Sequence, residues 1–299
     1  MATLYQERSN NVWRTVLLMS FFLVLVIAIG YAFSWYYGAP EILYVAVGFA
    51  LIMNFWSYWF SDKTVLALTG ARPATREEFF DLYTVTENLT ITAGLPMPKL
   101  YVLDDPAPNA FATGRDEKHA VVCATTGLLS MMTRSELEGV IGHELSHIKN
   151  RDILIMTVAV VLAGFLAIVS DMFVRMSLFG GGNSDNGRAN ILFMVLGLVA
   201  IILAPIAAQL IQMAISRRRE YLADASGALL TRYPEGLASA LQKIGSYGQP
   251  MQHASHATAH LFIGDPFGEK EGKTGQWING LFATHPPVEE RIKRLLGQS

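Results

Sequence analysis

Apolar residues in this chain gather into long runs that no charge interrupts. No formal charge falls between Arg14 and Glu41, between Glu41 and Asp62, between Asp152 and Asp171, or between Arg188 and Arg217. A helix crossing the hydrocarbon core of a bilayer needs about 20 apolar residues. Three of the runs meet that length outright, and the run from Ile153 to Ser170 meets it by continuing through Asp171 toward Val174. In lipid every backbone amide must find an internal partner, so each run is expected to be helical, which gives four transmembrane helices. The first run is too long for a signal peptide, and no small-residue cleavage site precedes Trp35, Tyr36 and Tyr37. Those rings, with Trp56, Tyr58 and Trp59 at the end of the second run, suit the membrane–water interface.

The polar segments between the runs carry different periodicities. Residues 75–94 read as an amphipathic helix with Phe79, Leu82, Tyr83 and Thr86 near one face, ended by Gly94, Pro96 and Pro98. Lys99 to Leu103 and Ala120 to Cys123 read as strands, with Asn109-Ala110-Phe111-Ala112 as a short extended piece between turns. Thr133 followed three positions later by Glu136 is a capping box that opens a helix. The fold class is therefore mainly α: a polytopic membrane protein with four transmembrane helices and an α+β domain around a small β-sheet. Its organisation is a tail with two spans over 1–61, a polar segment with the sheet over 62–152, two further spans over 153–215, and a second polar segment over 216–299. No internal repeat is sustained.

Basic residues near span ends set orientation. Arg8, Arg14, Lys63, Arg72, Arg76, Lys149, Arg151, Arg217, Arg218 and Arg219 fall on one side, and Arg175 and Arg188 on the other. Both polar segments are thus expected in the cytoplasm. Composition agrees with a membrane protein: 52% of residues are hydrophobic and 16% charged, against about 25% charged in soluble domains. A net charge of -2 gives no basic surface for nucleic acid. The single cysteine, Cys123, can form neither an internal disulfide nor a cysteine cage for zinc, and reads as a buried small apolar residue.

The candidate chemistry lies on the capped helix, in His143-Glu144-Leu145-Ser146-His147. Histidines four apart share one helix face, and one turn spaces their imidazoles for a single tetrahedral ion, with Glu144 beside them to hold a water. A catalytic zinc takes three protein ligands and keeps one position open. The third could be His119, His253, His256, His260, His285 or a carboxylate, and Glu220 is the best placed. Glu220 follows the fourth apolar run as closely as His147 precedes the third, and two spans joined by a short outer loop should emerge side by side. Asp224, one turn further on, can accept the free ring N–H of a liganding histidine. The tract His253, His256 and His260 reads as a surface segment rather than a second metal site.

The motif His143-Glu144-x-x-His147, the later Glu220-x-x-x-Asp224, the segment Asn109 to Gly114, and Thr284-His285-Pro286-Pro287 with Arg291 together resemble HtpX-type membrane zinc metalloproteases, relatives of the CAAX prenyl proteases. The resemblance covers nearly the whole chain. It implies one Zn2+ per chain, a bacterial inner membrane location, polypeptide substrates that include damaged membrane proteins, and self-cleavage when the metal is present. By the same resemblance, His285 and Arg291 are donors to the developing oxyanion, and Asn109 to Ala112 is an edge strand that pairs with the substrate backbone. The plainer readings are a helix-start residue for His285, a solvated helix face for Arg291, and an ordinary turn for Asn109 to Ala112. Glu144 is expected to take a proton from the attacking water and pass it to the leaving amine. Other classes are a prenyl-protein protease, which calls for a chamber of more spans, and a scaffold with a structural zinc closed by four protein ligands. The stretch from Ala2 to Asn11 is longer than the resemblance leads one to expect and carries no reading.

Overall fold

The structure, a computed structural model, describes residues 4–179, 206, 216–252, 255, 258–268 and 286–298. Three helices among the described residues are long and apolar enough to cross a membrane: Arg8–Tyr37, Glu41–Trp59 and Asp152–Asp171. The expected fourth span, the Gly180-Gly181-Gly182-Asn183 loop, and His253, His256 and His285 lie outside the described residues.

The first two spans form a hairpin. Helix α1 (Leu4–Tyr37) and α2 (Glu41–Trp59) meet at Gly38, whose φ of 65° is open to glycine at no steric expense. Much of their apolar surface is bare, with Val24 65%, Trp35 78% and Tyr44 72% exposed. Surface of that kind in a continuous band fits lipid rather than water. The stretch Leu4 to Asn11 is the beginning of α1 itself, continuous with the span. Helix α3 (Ser61–Thr69) follows the hairpin.

Strands β1 (Arg72–Pro73), β2 (Lys99–Leu103), β3 (Ala110–Thr113) and β4 (Val121–Thr125) make one sheet in the order β1-β2-β4-β3. The pair β2–β4 is parallel, and the pairs β1–β2 and β3–β4 are antiparallel, with Phe111 opposite Cys123. Between β1 and β2 runs α4 (Phe80–Ala93), which starts later than the amphipathic pattern of 75–94 suggests. At that start Phe79 leaves the helical region, and beside it the Arg72 guanidinium meets both oxygens of Glu78 at 2.8 and 3.0 Å. A short helix α5 (Thr126–Met131) leads from β4 to α6 (Arg134–Lys149).

Helix α6 opens with both bonds of the capping box: the Glu136 N–H donates to Thr133 Oγ1, and the Thr133 N–H donates to Glu136 Oε2 at 2.7 Å. Burial alone would raise the Glu136 carboxyl, but Lys243, Ser239 and Thr133 outweigh it and hold the group at about 2. The helix sits at the centre of the protein, in contact with α4, β3, α8 (Arg217–Thr231) and α9 (Pro234–Ser246), and every residue from Gly139 to Ile148 is buried. Helix α7 (Asp152–Phe179) leaves after a single left-handed residue, Arg151, and continues past Asp171 as the third run requires. A last helix, α10 (Val288–Leu295), packs on α8 and α9.

Two hydrophobic clusters result. One joins Leu18 and Phe22 of α1 to α7, Phe111 and Phe262; the other lies between the sheet and α4, α6 and α9. Helices α6 and α8 touch backbone to backbone between them. A Cβ on Gly227 would stand 2.8 Å from the His143 nitrogen, and one on Gly142 would stand 3.3 Å from the Gly227 carbonyl oxygen. The atoms that a Cβ on Gly227 would meet are all backbone, so no side chain can move aside there. Gly227→Ala is therefore expected to destabilise the fold by about 1–3 kcal/mol through overpacking, seen as a lower thermal midpoint of the detergent-solubilised protein; an unchanged midpoint would mean the helices are not in contact there.

Candidate metal centre

The close crossing of α6 and α8 decides where Glu220 ends up. Gly227 lies on the contact, and Asp224 and Glu220 precede it at roughly one and two helical turns, so all three share a face toward α6. The nearest ligand atoms of His143, His147 and Glu220 lie within 4.8 Å of one another, and all three residues are buried. The two Nε2 atoms are 3.1 Å apart, His147 Nε2 is 3.5 Å from Glu220 Oε1, and His143 Nε2 is 3.9 Å from Glu220 Oε2. A tetrahedral ion about 2.0–2.1 Å from each donor separates its donors by roughly 3.3–3.4 Å. The triangle fits such an ion, and two imidazoles with one carboxylate form a donor set suited to zinc.

Each histidine is held from behind by a carboxylate. Asp224 Oδ1 lies 2.9 Å from His143 Nδ1, and Asp152 Oδ2 lies 3.0 Å from His147 Nδ1. A carboxylate on Nδ1 fixes the tautomer that turns the Nε2 lone pair toward a metal. Burial lowers His143 to about 4, even against the pull of Asp224, so that imidazole is neutral. Burial would lower His147 too, but its hydrogen bond to Asp152 and the carboxylates of Glu220 and Glu144 overcome it and raise the group to about 9. A metal at Nε2 competes with that proton and releases it.

Glu144 is 1% exposed, on the same helix as both histidines. Burial pushes its carboxyl up to about 7; Glu220 adds to the rise, while His147, Arg291 and a hydrogen bond from the Ala112 N–H oppose it. A group poised there accepts and returns a proton readily near neutral pH.

Arg291 is fully buried beside this cluster. Its Nε and Nη2 donate to the two oxygens of Asp224 at 2.9 and 2.7 Å, and Nη1 donates to the Ile263 carbonyl at 3.0 Å. Burial would raise the Asp224 carboxyl, but Arg291 and then His143 hold it at about 2. The solvated helix face is thus not where Arg291 lies. His260 is also buried, in the short turn Ala259–Leu261, and His119 is tied to Asp116 at the surface.

Strand β3 ends the sheet. Asn109 and Phe111 face β4, since the Thr125 N–H donates to the Asn109 carbonyl and the register alternates, so Ala110 and Ala112 point outward. The Ala110 N–H donates to Asn109 Oδ1 and its carbonyl accepts from the Ile263 N–H at 2.9 Å, while Ala112 donates to Glu144. Asn109 is buried and also pins Gly264 through both ends of its amide.

Sequence reasoning missed Asp152, Asn11 and Arg219. Asp152 served there only as the boundary of an apolar run, although a lone carboxylate one turn past a metal-type histidine and heading a membrane helix is a signal in itself.

Comparison with known proteins agrees with this geometry. A model of peptidase family M48 matches residues 77–299. A Protease HtpX homolog of Caldanaerobacter subterraneus subsp. tengcongensis is 49% identical over 299 residues, which covers 98% of this chain and 97% of the relative. A Protease HtpX homolog of Thermoanaerobacter pseudethanolicus is 50% identical over 301 residues, with the same coverage. The crystal structure of S. mikatae Ste24p superposes with a TM-score of 0.50 at 20% identity, over 95% of this chain and 66% of that one, a likeness of fold. Near-half identity along the full length, on a chain whose histidine pair and glutamate converge, leaves one conclusion: this chain belongs to peptidase family M48, as an HtpX-type membrane metalloprotease.

Proposed function

We propose that the chain is a zinc endopeptidase that cleaves polypeptides, damaged membrane proteins and its own chain among them, at a site on the cytoplasmic side of the membrane. The observation that carries this reading is the buried triangle of His143, His147 and Glu220, with the carboxyl of Glu144 beside it. Those three side chains would hold the ion. Zinc held there supplies Lewis acidity toward a carbonyl and acidifies a water.

The chain's own groups do the rest. Glu144 takes the proton of the attacking water on its carboxylate and delivers it to the leaving amine nitrogen. Asp152 and Asp224 keep the Nδ1 protons on the two histidines. Of the groups that β3 turns outward, the Ala112 carbonyl has no donor among the described residues, and it is the place where a substrate amide can pair. Placement on the cytoplasmic side rests on the basic residues that flank the ends of the spans.

For Arg291 the contacts favour a positioning role over the oxyanion donor suggested by resemblance. Three of its five N–H groups go to Asp224 and the Ile263 carbonyl, and on that paired grip we assign it to positioning: it clamps the carboxylate that orients His143. His285 keeps its place as the oxyanion candidate.

Cleavage by the detergent-purified protein, measured with and without a metal chelator beside Glu144→Gln, tests the reading. The chelator is expected to stop cleavage, and Glu144→Gln to keep its metal and lose at least about 100-fold in rate; a zinc-loaded variant that cuts at the wild-type rate would remove Glu144 from its role. Metal analysis of Glu220→Ala is expected to show zinc well below one per chain, whereas full occupancy would point to another ligand. Arg291→Lys keeps the charge and loses the paired bonds, so zinc affinity is expected to drop by about 10-fold or more; a loss of rate with zinc affinity intact would restore the oxyanion role.

A further inference from the structure

The first membrane helix reaches into the support of the metal centre. Asn11 on α1 is fully buried, and its amide joins three separate parts of the chain. Nδ2 donates to the Asn150 carbonyl at 3.1 Å and to Asp152 Oδ1 at 2.6 Å, and Oδ1 accepts from Arg219 Nη1 at 3.0 Å. The other oxygen of Asp152 is the one 3.0 Å from His147 Nδ1. Arg219 is the residue before Glu220. One amide thus touches the carboxylate behind one ligand and the neighbour of another.

We propose that Asn11 is a positioning residue for the metal centre, so that α1 contributes to zinc affinity as well as crossing the membrane. This rests on the zinc reading of His143, His147 and Glu220. The argument is one of constraint. A carboxylate bound only through Oδ2 can rotate about its Cβ–Cγ bond, and the ring it holds can follow. Asn11 closes that freedom from the Oδ1 side. Arg219, with Nε 3.9 Å from Oδ1, is too far to replace the bond. With Asn11 shortened, Asp152 Oδ1 becomes a buried acceptor without a close donor, a state that favours reorientation.

The register of α1 is fixed independently of the amide. Thr15 caps the Asn11 carbonyl within the helix, and Leu18 and Phe22 on the following turns are fully buried against the cluster that includes α7. Packing therefore delivers Asn11 to Asp152, and the two contributions can be separated by mutation.

The test is the zinc dissociation constant of the full chain in detergent, measured by competition with a fluorescent zinc chelator. Removing a partner of a ligand's partner is expected to act at the low end of outer-shell effects, so Asn11→Ala should weaken zinc by about 10-fold. Leu18→Ala loosens the same helix without touching the amide and should stay within about 2-fold of wild type. Asp152→Asn should weaken zinc at least as much as Asn11→Ala, and the double variant no more than Asp152→Asn, because the two act through one contact. If Asn11→Ala does not purify folded, Asn11→Ser, whose hydroxyl is too short to span Asn150 and Asp152, answers the same question. Wild-type affinity in the Asn11 variant, or an equal loss in Leu18→Ala, overturns the proposal while the metal site stands. Wild-type affinity in Glu220→Ala would instead overturn the zinc reading beneath it.

Discussion

The contact of α6 and α8 through bare backbone is the constraint on which the rest depends. Gly142 and Gly227 let the two helices approach until the next side chains along α8, Asp224 and Glu220, lie against the histidines of α6. A Cβ at that crossing would hold the helices apart and leave the ligand triangle open. The polar groups that converge are expensive to bury singly, and they are tolerated because each is answered: Asp224 by Arg291, His147 by Asp152, Asp152 by Asn11. The centre is thus a chain of paired charges and hydrogen bonds threaded between two apolar clusters.

That arrangement explains why a mainly helical membrane protein carries a sheet at all. The sheet places β3 against α6, the helix that carries Glu144. The same strand is tied to α7 by Thr113 and Thr157, whose hydroxyls lie 2.9 Å apart, and to the segment near Ile263 by the Ala110 carbonyl. Contacts with α6, with α7 and with the segment near Ile263 therefore meet on one short strand.

Much of this was legible from residue order. The uncharged runs announced three described helices, alternation and turn residues announced β2, β3 and β4, and Thr133 with Glu136 announced the start of α6. His143, His147, Glu220 and Asp224 stood out because liganding needs fixed residue types at helical spacing. Asn11, Asp152 and Arg219 did not, because their partners are far away in the chain: Asn11 and Asp152 are separated by 141 positions. No local period marks such a pair. The late start of α4 was not legible either: Phe79 leaves the helical region where the pattern of apolar residues continues. Arg291 was noticed, but its pairing with Asp224 was not legible, since a run of charges on a short helix reads as solvated until the carboxylate it meets is known.

The most direct measurement of the central claim is X-ray absorption at the zinc edge on the purified full chain, with metal content determined on the same sample. One zinc per chain, bound by two imidazoles and otherwise oxygen, with four light ligands in all and one of them exchangeable water, is the expected result. No stoichiometric zinc, a third imidazole, or a shell closed without water would contradict a centre built from the histidines of α6 and the glutamate that α8 brings to them.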